Sequence, residues 1–272
     1  MKKIKVLSFV MLFGLLILSG CSGKDDGGKI EISGSTSIAP LMTKLVEEYQ
    51  NKGSIKININ ADGSSAGIKA ASEGISDIGM VSREVEDDEL ALGLSCDVIA
   101  IDAIAVIVNK DSAITNLTKE QLHDIYAGKI TNYSQIGGKD LPIELTTRET
   151  GSGTRDAFEE TMSLLNEDKS SKVSSKAIVA NSTGAVIENV KQKEGAIGYI
   201  SLGSVDESIK VLSLNGIEPS EENVKANKYL LTRNFNLVTK EINEDTKAFL
   251  EFISSSEGQK VITDEGYIVV SK

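Results

Sequence analysis

The chain has 272 residues, 40% hydrophobic and 25% charged, and its 40 acidic side chains against 29 basic ones leave a formal net charge of −11. That composition is ordinary for a globular protein, and the length suits one large domain or two lobes. The acidic balance argues against a nucleic-acid partner, whose backbone calls for a basic surface, and any anion site must work locally against the overall field.

The first twenty residues stand apart. Lys2, Lys3 and Lys5 make a basic start, residues 6–18 form an apolar run broken by Ser8 and Gly14, and Leu18-Ser19-Gly20-Cys21 follows. The run is short for a membrane span and reads as a secretory signal over 1–20. The small residues before Cys21 resemble the lipobox of bacterial lipoproteins, in which the cysteine is acylated and becomes the new N-terminus. Residues 21–28, rich in Gly, Asp and Lys, then read as a lipid-anchored tether. With Cys21 acylated, Cys96 has no partner; its setting predicts a partly buried structural thiol.

Beyond the tether, strands alternate with helices. Ile30-Glu31-Ile32 starts a strand, Gly34 to Pro40 a turn, and Leu41, Leu45, Val46 and Tyr49 recur at helical spacing. The pattern repeats: a strand over 55–60, a turn over 62–67, a short helix over 68–73 and a third strand over 76–82. Residues 97–109 are an apolar run that reads as a buried strand. Thr118 and Gln121 make a capping box for a helix to Tyr126. A strand over 143–147 leads into Arg148-Glu149-Thr150-Gly151-Ser152-Gly153-Thr154, with a helix expected from Arg155 to about Asn166, capped by Thr154. A helix over 182–193, a strand over 195–201, edge segments over 211–220, a bent strand or strand pair over 229–239, helices over 243–254 and 257–263 and a short strand over 267–270 complete the chain. The alternation predicts an α/β protein with mostly parallel sheets.

Three stretches share one design: strand, Ser/Thr/Gly turn, helix start. They are Gly34 to Ser37, Gly63 to Ser65, and Gly151 to Thr154. In open α/β sheets ligands sit beyond the carboxyl ends of strands, where helices begin. Exposed N–H groups and the partial positive charge of a helix start attract anions. Arg148, just after a strand, adds a planar donor fork suited to an oxyanion. Each stretch alone is also an ordinary helix cap; together they point to an oxyanion site. The single histidine, His123, lies beside Asp124 on a helix and reads as surface or packing, and its solitude excludes His-based zinc clusters. Arg83 and Glu84 read as a solvated surface pair, and the acidic stretch 84–89 as a solvated helix start.

The ordered set resembles the phosphate-binding proteins of bacterial high-affinity phosphate ABC transporters, from about Lys29 to the end. Gly34-Ser35-Thr36-Ser37, Gly63-Ser64-Ser65-Ala66-Gly67, Asp77-Ile78-Gly79-Met80-Val81-Ser82-Arg83, Arg148 with Gly151-Ser152-Gly153-Thr154, and Gly195-Ala196-Ile197-Gly198-Tyr199 carry the likeness. The resemblance implies a two-lobed periplasmic-binding-protein fold of type II: residues 29–105 and 231–272 in lobe I, 106–230 in lobe II, and hinge segments near 102–107 and 229–233. It implies that Thr36, the Ser37 N–H and Ser64, with Ser35 beside them, hold one phosphate from one side. Arg148, Ser152, the Gly153 N–H and Thr154 hold it from the other. It also implies permease subunits as partners, a monomer anchored to the cell membrane through Cys21 and facing outward, no cofactor, no metal and no catalysis. One departure stands out. Many members of that family carry an aspartate where this chain has Ser82. A carboxylate accepts the proton of hydrogen phosphate and repels sulfate, whereas a hydroxyl can also donate. Three alternatives follow from the same residues: a receptor for another tetrahedral oxyanion (sulfate, tungstate or molybdate), a secreted phosphate-ester hydrolase with Ser152 as nucleophile and Arg148 holding the substrate, and a sensor or adhesin that keeps the fold and binds nothing.

Overall fold

The computed structural model describes residues 28–270 except 52 and 54, so the signal segment, Cys21 and nearly all of the tether lie outside the described residues. The described chain opens with β1 (Lys29–Gly34), α1 (Ala39–Gln50), β2 (Lys56–Ala61), α2 (Ser64–Ser72) and β3 (Ile78–Val81). β1 lies between β2 and β3, parallel to both. Ile30 and Ile32 of β1, Ile78 and Met80 of β3, and Leu41, Met42 and Leu45 of α1 are buried in one cluster, as alternation and helical spacing require. Pro40 sits in the first turn of α1, where its missing N–H costs nothing.

After α3 (Asp87–Leu90), β4 (Ser95–Asn109) runs for 15 residues and enters the second lobe. There follow β5 (Asn116–Leu117), α4 (Lys119–Tyr126), β6 (Glu144–Arg148), α5 (Gly153–Thr161), β7 (Ile178–Ala180), α6 (Thr183–Gln192) and β8 (Ala196–Ser201). Next come β9 (Ile209–Val211), β10 (Ser213–Leu214) and α7 (Glu221–Lys225). The chain returns through β11 (Thr232–Thr239) and closes with α8 (Glu244–Ser254) and α9 (Ser256–Asp264). β6 is parallel to β7 and β8, so each lobe has its own parallel triplet.

One curled sheet in the order β2-β1-β3-β11-β4-β8-β6-β7, with β9 also on β4, joins the lobes. The pairs that make the join are antiparallel. β11 pairs with β3 and with β4 from Ser95 to Ala103, and β4 pairs with β8 from Ile104 to Val108. Where β4 changes partner, Asp102 stands opposite Arg233 in register. Arg233 Nε and Nη2 donate to Asp102 Oδ2 at 3.0 and 2.9 Å, and Ser201 Oγ donates to Oδ1 at 2.9 Å. The pair is buried, as an ion pair inside a protein can be when its remaining hydrogen bonds are met.

Several elements differ from the sequence pattern. α2 begins at Ser64, not Ile68: Gly63 takes φ +100°, which the turn needs, and the helix starts at the next residue. α5 stops at Thr161, not near Asn166. Ser163 takes φ +57°, and the amides of Ser163 and Leu164 donate to Glu160 and Glu159 carbonyls, a Schellman closure built without glycine. The end strand over 267–270 is a single bridge between Ile268 and Ile101. Cys96 is exposed, not partly buried, because that end of β4 has a strand partner on one side only. Local desolvation first, then Asp97 and Glu84, push its thiol up to about 11, so it is a poor nucleophile at neutral pH.

Candidate anion-binding cleft

The first wall is made of hydroxyls at the ends of β1 and β3 and the start of α2. Ser35, Thr36 and Ser37 form the turn between β1 and α1. Ser35 Oγ accepts the Ser37 and Ile38 amides at 3.2 and 3.3 Å, and donates to Ser82 Oγ at 2.8 Å. Ser82 N–H donates to Ser64 Oγ at 3.1 Å, and the two hydroxyls lie 3.3 Å apart. Behind this row, Arg233 Nη1 donates to the Ser82 carbonyl at 3.2 Å, tying the wall to the Asp102–Arg233 pair. Ser35, Thr36, Ser37, Ser64 and Ser82 are all buried.

The second wall carries the charge. Arg148 ends β6 and is only 2% exposed. Its Nε and Nη2 donate to Glu149 Oε2 and Oε1, both at 2.7 Å, and Nη2 also donates to Thr36 Oγ1 at 3.0 Å across the cleft. Ser152, not Thr154, caps α5: its Oγ accepts the Arg155 amide at 3.3 Å. That leaves Thr154 Oγ1 to meet Ser37 Oγ at 2.8 Å on the opposite wall. Gly153 leaves no room for a side chain, since a Cβ there would fall 2.4 Å from Ser64 Oγ and 3.0 Å from Ser82 Oγ. Below, Tyr199 anchors the wall. Its ring stacks on Phe158 of α5 at 4.0 Å and 8°, its hydroxyl lies 2.7 Å from Thr147 Oγ1, and it accepts the Arg148 amide at 3.3 Å. Burial pushes the Tyr199 phenol up, so it stays neutral and serves as a strut.

All nine residues singled out from the sequence, Ser35, Thr36, Ser37, Ser64, Ser82, Arg148, Ser152, Gly153 and Thr154, therefore lie along one closed seam between the lobes. Ser35, the Ser37 amide and Ser152 spend hydrogen-bonding capacity on shaping their own turns. Sequence reasoning missed Thr183, the first residue of α6, whose Oγ1 lies 3.0 Å from Ser37 Oγ and 3.3 Å from Thr36 Oγ1. It also misplaced Arg83. That side chain is 11% exposed and meets Glu84 only at its backbone carbonyl, at 2.8 Å; it is bidentate on Glu89 at 2.7 Å and reaches Asp156 of the other lobe at 3.0 Å. Burial works to raise Glu89, but Arg83 and the Glu86 amide outweigh it and hold the carboxyl low, whereas burial leaves Asp156 raised despite Arg83. His123 lies 3.0 Å from Asp124 on α4, outside the seam, and among the described residues no group of His, Cys, Asp and Glu side chains is placed to hold a metal ion.

Two α/β lobes, joined by paired strands and meeting along a buried polar seam with one guanidinium in it, define a two-lobed solute-binding protein. The chain belongs to the PBP superfamily, whose domain model matches residues 22–257, and within it to the family of phosphate-binding proteins. It is 31% identical over 277 residues to the phosphate-binding protein PstS of Borreliella burgdorferi, covering 98% of this chain and 99% of that one. A Clostridium perfringens crystal structure, described as a phosphate ABC transporter substrate-binding protein with bound phosphate, matches with a TM-score of 0.86 at 41% identity, over 90% of this chain and all of that one. An ABC-type phosphate transport receptor from Vibrio cholerae matches with a TM-score of 0.73 at 38% identity, over 89% of this chain and all of that one.

Proposed function

We propose that this protein captures inorganic phosphate outside the cell and delivers it to the permease of an ABC transporter, by closing its lobes around the ion. The observation that carries this reading is the buried Arg148 guanidinium, which reaches from one lobe to Thr36 of the other. A guanidinium surrounded by hydroxyls and helix-start amides is a set of donors matched to a tetrahedral oxyanion. In this reading Thr36, Ser37, Ser64 and Ser82 hold the ion from lobe I, and Arg148, Ser152, the Gly153 amide and Thr154 hold it from lobe II. Ser35 orders the first turn. The lobes comprise residues 29–105 with 231–272, and 106–230, and hinge where β4 and β11 cross between them. No bond is made or broken, so the protein is no enzyme and needs no cofactor. A lipid on Cys21 holds the monomer at the outer face of the cell membrane. No helix among the described residues is long and apolar enough to cross a membrane. The hydrolase alternative lacks a base: Ser152 Oγ faces the Arg155 amide, and the one histidine is paired with Asp124.

Calorimetric titration tests the reading, using protein unfolded and dialysed to remove carried-over ligand, with phosphate, arsenate and sulfate as titrants. Saturable binding of one phosphate per chain is expected. Heat from sulfate alone would replace phosphate by another oxyanion. Ser82→Asp should widen the preference for phosphate over sulfate, because a carboxylate there accepts a proton that sulfate does not have.

A further inference from the structure

We infer that Thr183 is a further residue of the phosphate site: a positioning residue whose hydroxyl joins Arg148 to Ser37 on the opposite wall while the lobes are closed, beside a backbone amide that commits Thr36 as a donor. The inference rests on the phosphate reading above. Thr183 is 4% exposed, at the start of α6. It is not needed as the helix cap, because Ser182 Oγ accepts the Ala185 amide at 3.1 Å. Its own groups turn to the seam instead. The Thr183 amide donates to Thr36 Oγ1 at 3.3 Å, and its Oγ1 lies 3.0 Å from Ser37 Oγ, 3.3 Å from Thr36 Oγ1 and 3.5 Å from Arg148 Nη1.

Counting protons gives these contacts their meaning. A hydroxyl has two lone pairs and one proton. Thr36 Oγ1 accepts from Arg148 Nη2 at 3.0 Å and from the Thr183 amide at 3.3 Å, and neither partner can act as an acceptor. Both lone pairs are taken, so Thr36 has only its proton to offer, which is what an oxyanion requires. Thr183 Oγ1 takes Arg148 Nη1 on one lone pair, which leaves its proton for Ser37 Oγ and its other lone pair free. The amide makes Thr36 a committed donor, and the hydroxyl joins Arg148 to Ser37 and Thr36. Thr36 and Ser37 belong to the first lobe and Thr183 and Arg148 to the second, so the contacts of Thr183 with Thr36 and Ser37 exist only with the cleft shut. Their loss should speed escape of the ion far more than it slows entry.

The test is stopped-flow and calorimetric measurement of phosphate binding by the wild-type protein, Thr183→Val and Thr183→Ser. Valine keeps the shape and amide and removes the hydroxyl. It should weaken phosphate binding about tenfold, the scale of one hydrogen bond in a charged network, almost all in the off-rate, with the on-rate within about twofold. Serine restores the hydroxyl and should bring the off-rate back. Wild-type dissociation in Thr183→Val overturns the inference alone, as does a serine variant as impaired as the valine one, which would mark a packing role. A wild-type protein that does not bind phosphate overturns the phosphate reading and this inference with it. If Thr183→Val shows no cooperative melting, Thr183→Ala carries the same comparison, read against serine.

Discussion

The first wall of the cleft presents five hydroxyls, those of Ser35, Thr36, Ser37, Ser64 and Ser82, and no charge that reaches the seam. The second presents one guanidinium, already held on two of its nitrogens by Glu149, together with the start of α5. The first wall is bound into its own backbone through Ser35 and Ser64, so its shape does not depend on the other lobe. The second is propped by Tyr199 and Phe158 and reaches across. The contrast separates two tasks. In a chain of net charge −11, attraction of an anion must come from a concentrated local cation, and Arg148 supplies it. The hydroxyls shape the seam and measure the ion once it has arrived.

Removing Arg148 should have the largest effect. Arg148→Ala deletes the cation and leaves Glu149 bare in a buried seam, so phosphate affinity should drop by about a thousandfold or more, the scale of losing one partner of a buried charge pair. The phosphate-induced rise in melting temperature should vanish. Arg148→Lys should recover only part of it, because one ammonium cannot hold Glu149 by two arms and Thr36 at once. A full melting shift in Arg148→Ala would dissolve the contrast between the walls.

Behind the neutral wall sits a second cation that does not count as charge. Arg233 spends Nε and Nη2 on Asp102 and Nη1 on the Ser82 carbonyl, so no arm faces the seam, whereas Arg148, also paired with a carboxylate, keeps Nη2 on Thr36 and Nη1 with only a 3.5 Å contact to Thr183. Asp102→Asn should cost the fold about 3 kcal/mol, since it strands a buried guanidinium. Phosphate affinity should change much less than in Arg148→Ala. Urea unfolding and titration of the same sample separate the two readings. A loss of affinity matching that of Arg148→Ala would make the Asp102–Arg233 pair part of the anion's own charge balance. Ser37→Ala comes next: it removes one hydroxyl that meets both Thr154 and Thr183, and should weaken phosphate binding about tenfold.

The parts of this arrangement that were legible in the sequence are those written locally. Gly34 to Ser37, Gly63 to Ser65 and Gly151 to Thr154 each hold strand end, turn and helix start within a few residues, and the Thr118–Gln121 capping box is likewise self-contained. Arg148 could be read because it precedes one of these turns. Thr183 could not be read. Ser182 and Thr183 are equivalent caps on paper, and only contacts 146 and 147 residues away in sequence, to Ser37 and Thr36, distinguish the capping residue from the one facing the seam. Arg83 was misjudged for the same reason, its cross-lobe partner Asp156 being 73 residues distant. Ser163 ends α5 in a left-handed conformation that sequence patterns reserve for glycine.

The smallest effect is expected at the rim, where Arg83 meets Asp156 and Lys169 meets Glu86 across the lobes, at 3.0 and 2.7 Å. These look like latches, but their geometry argues otherwise. The Asp156 side chain is 41% exposed, and Lys169 and Glu86 are 74% and 51% exposed, so water and salt screen both pairs. Burial, the strongest influence on Asp156, raises its carboxyl above the ordinary value in spite of Arg83. A raised folded-state value means that its contribution to folding stability is present below the ordinary carboxyl range and lost as pH rises through the folded value. Glu89 has the opposite sign: held low, it contributes above the ordinary carboxyl range and loses that contribution as pH falls through its folded value. Asp156→Asn should therefore change phosphate affinity at neutral pH by less than about threefold, since an exposed pair contributes little. Glu89→Gln, which removes the charge and one of the two acceptors of the Arg83 fork, should lower the melting temperature more. A tenfold loss of affinity in Asp156→Asn, disappearing at high salt, would show that rim charges hold the lobes together and that the hydroxyl seam does less of the closing than its buried contacts indicate.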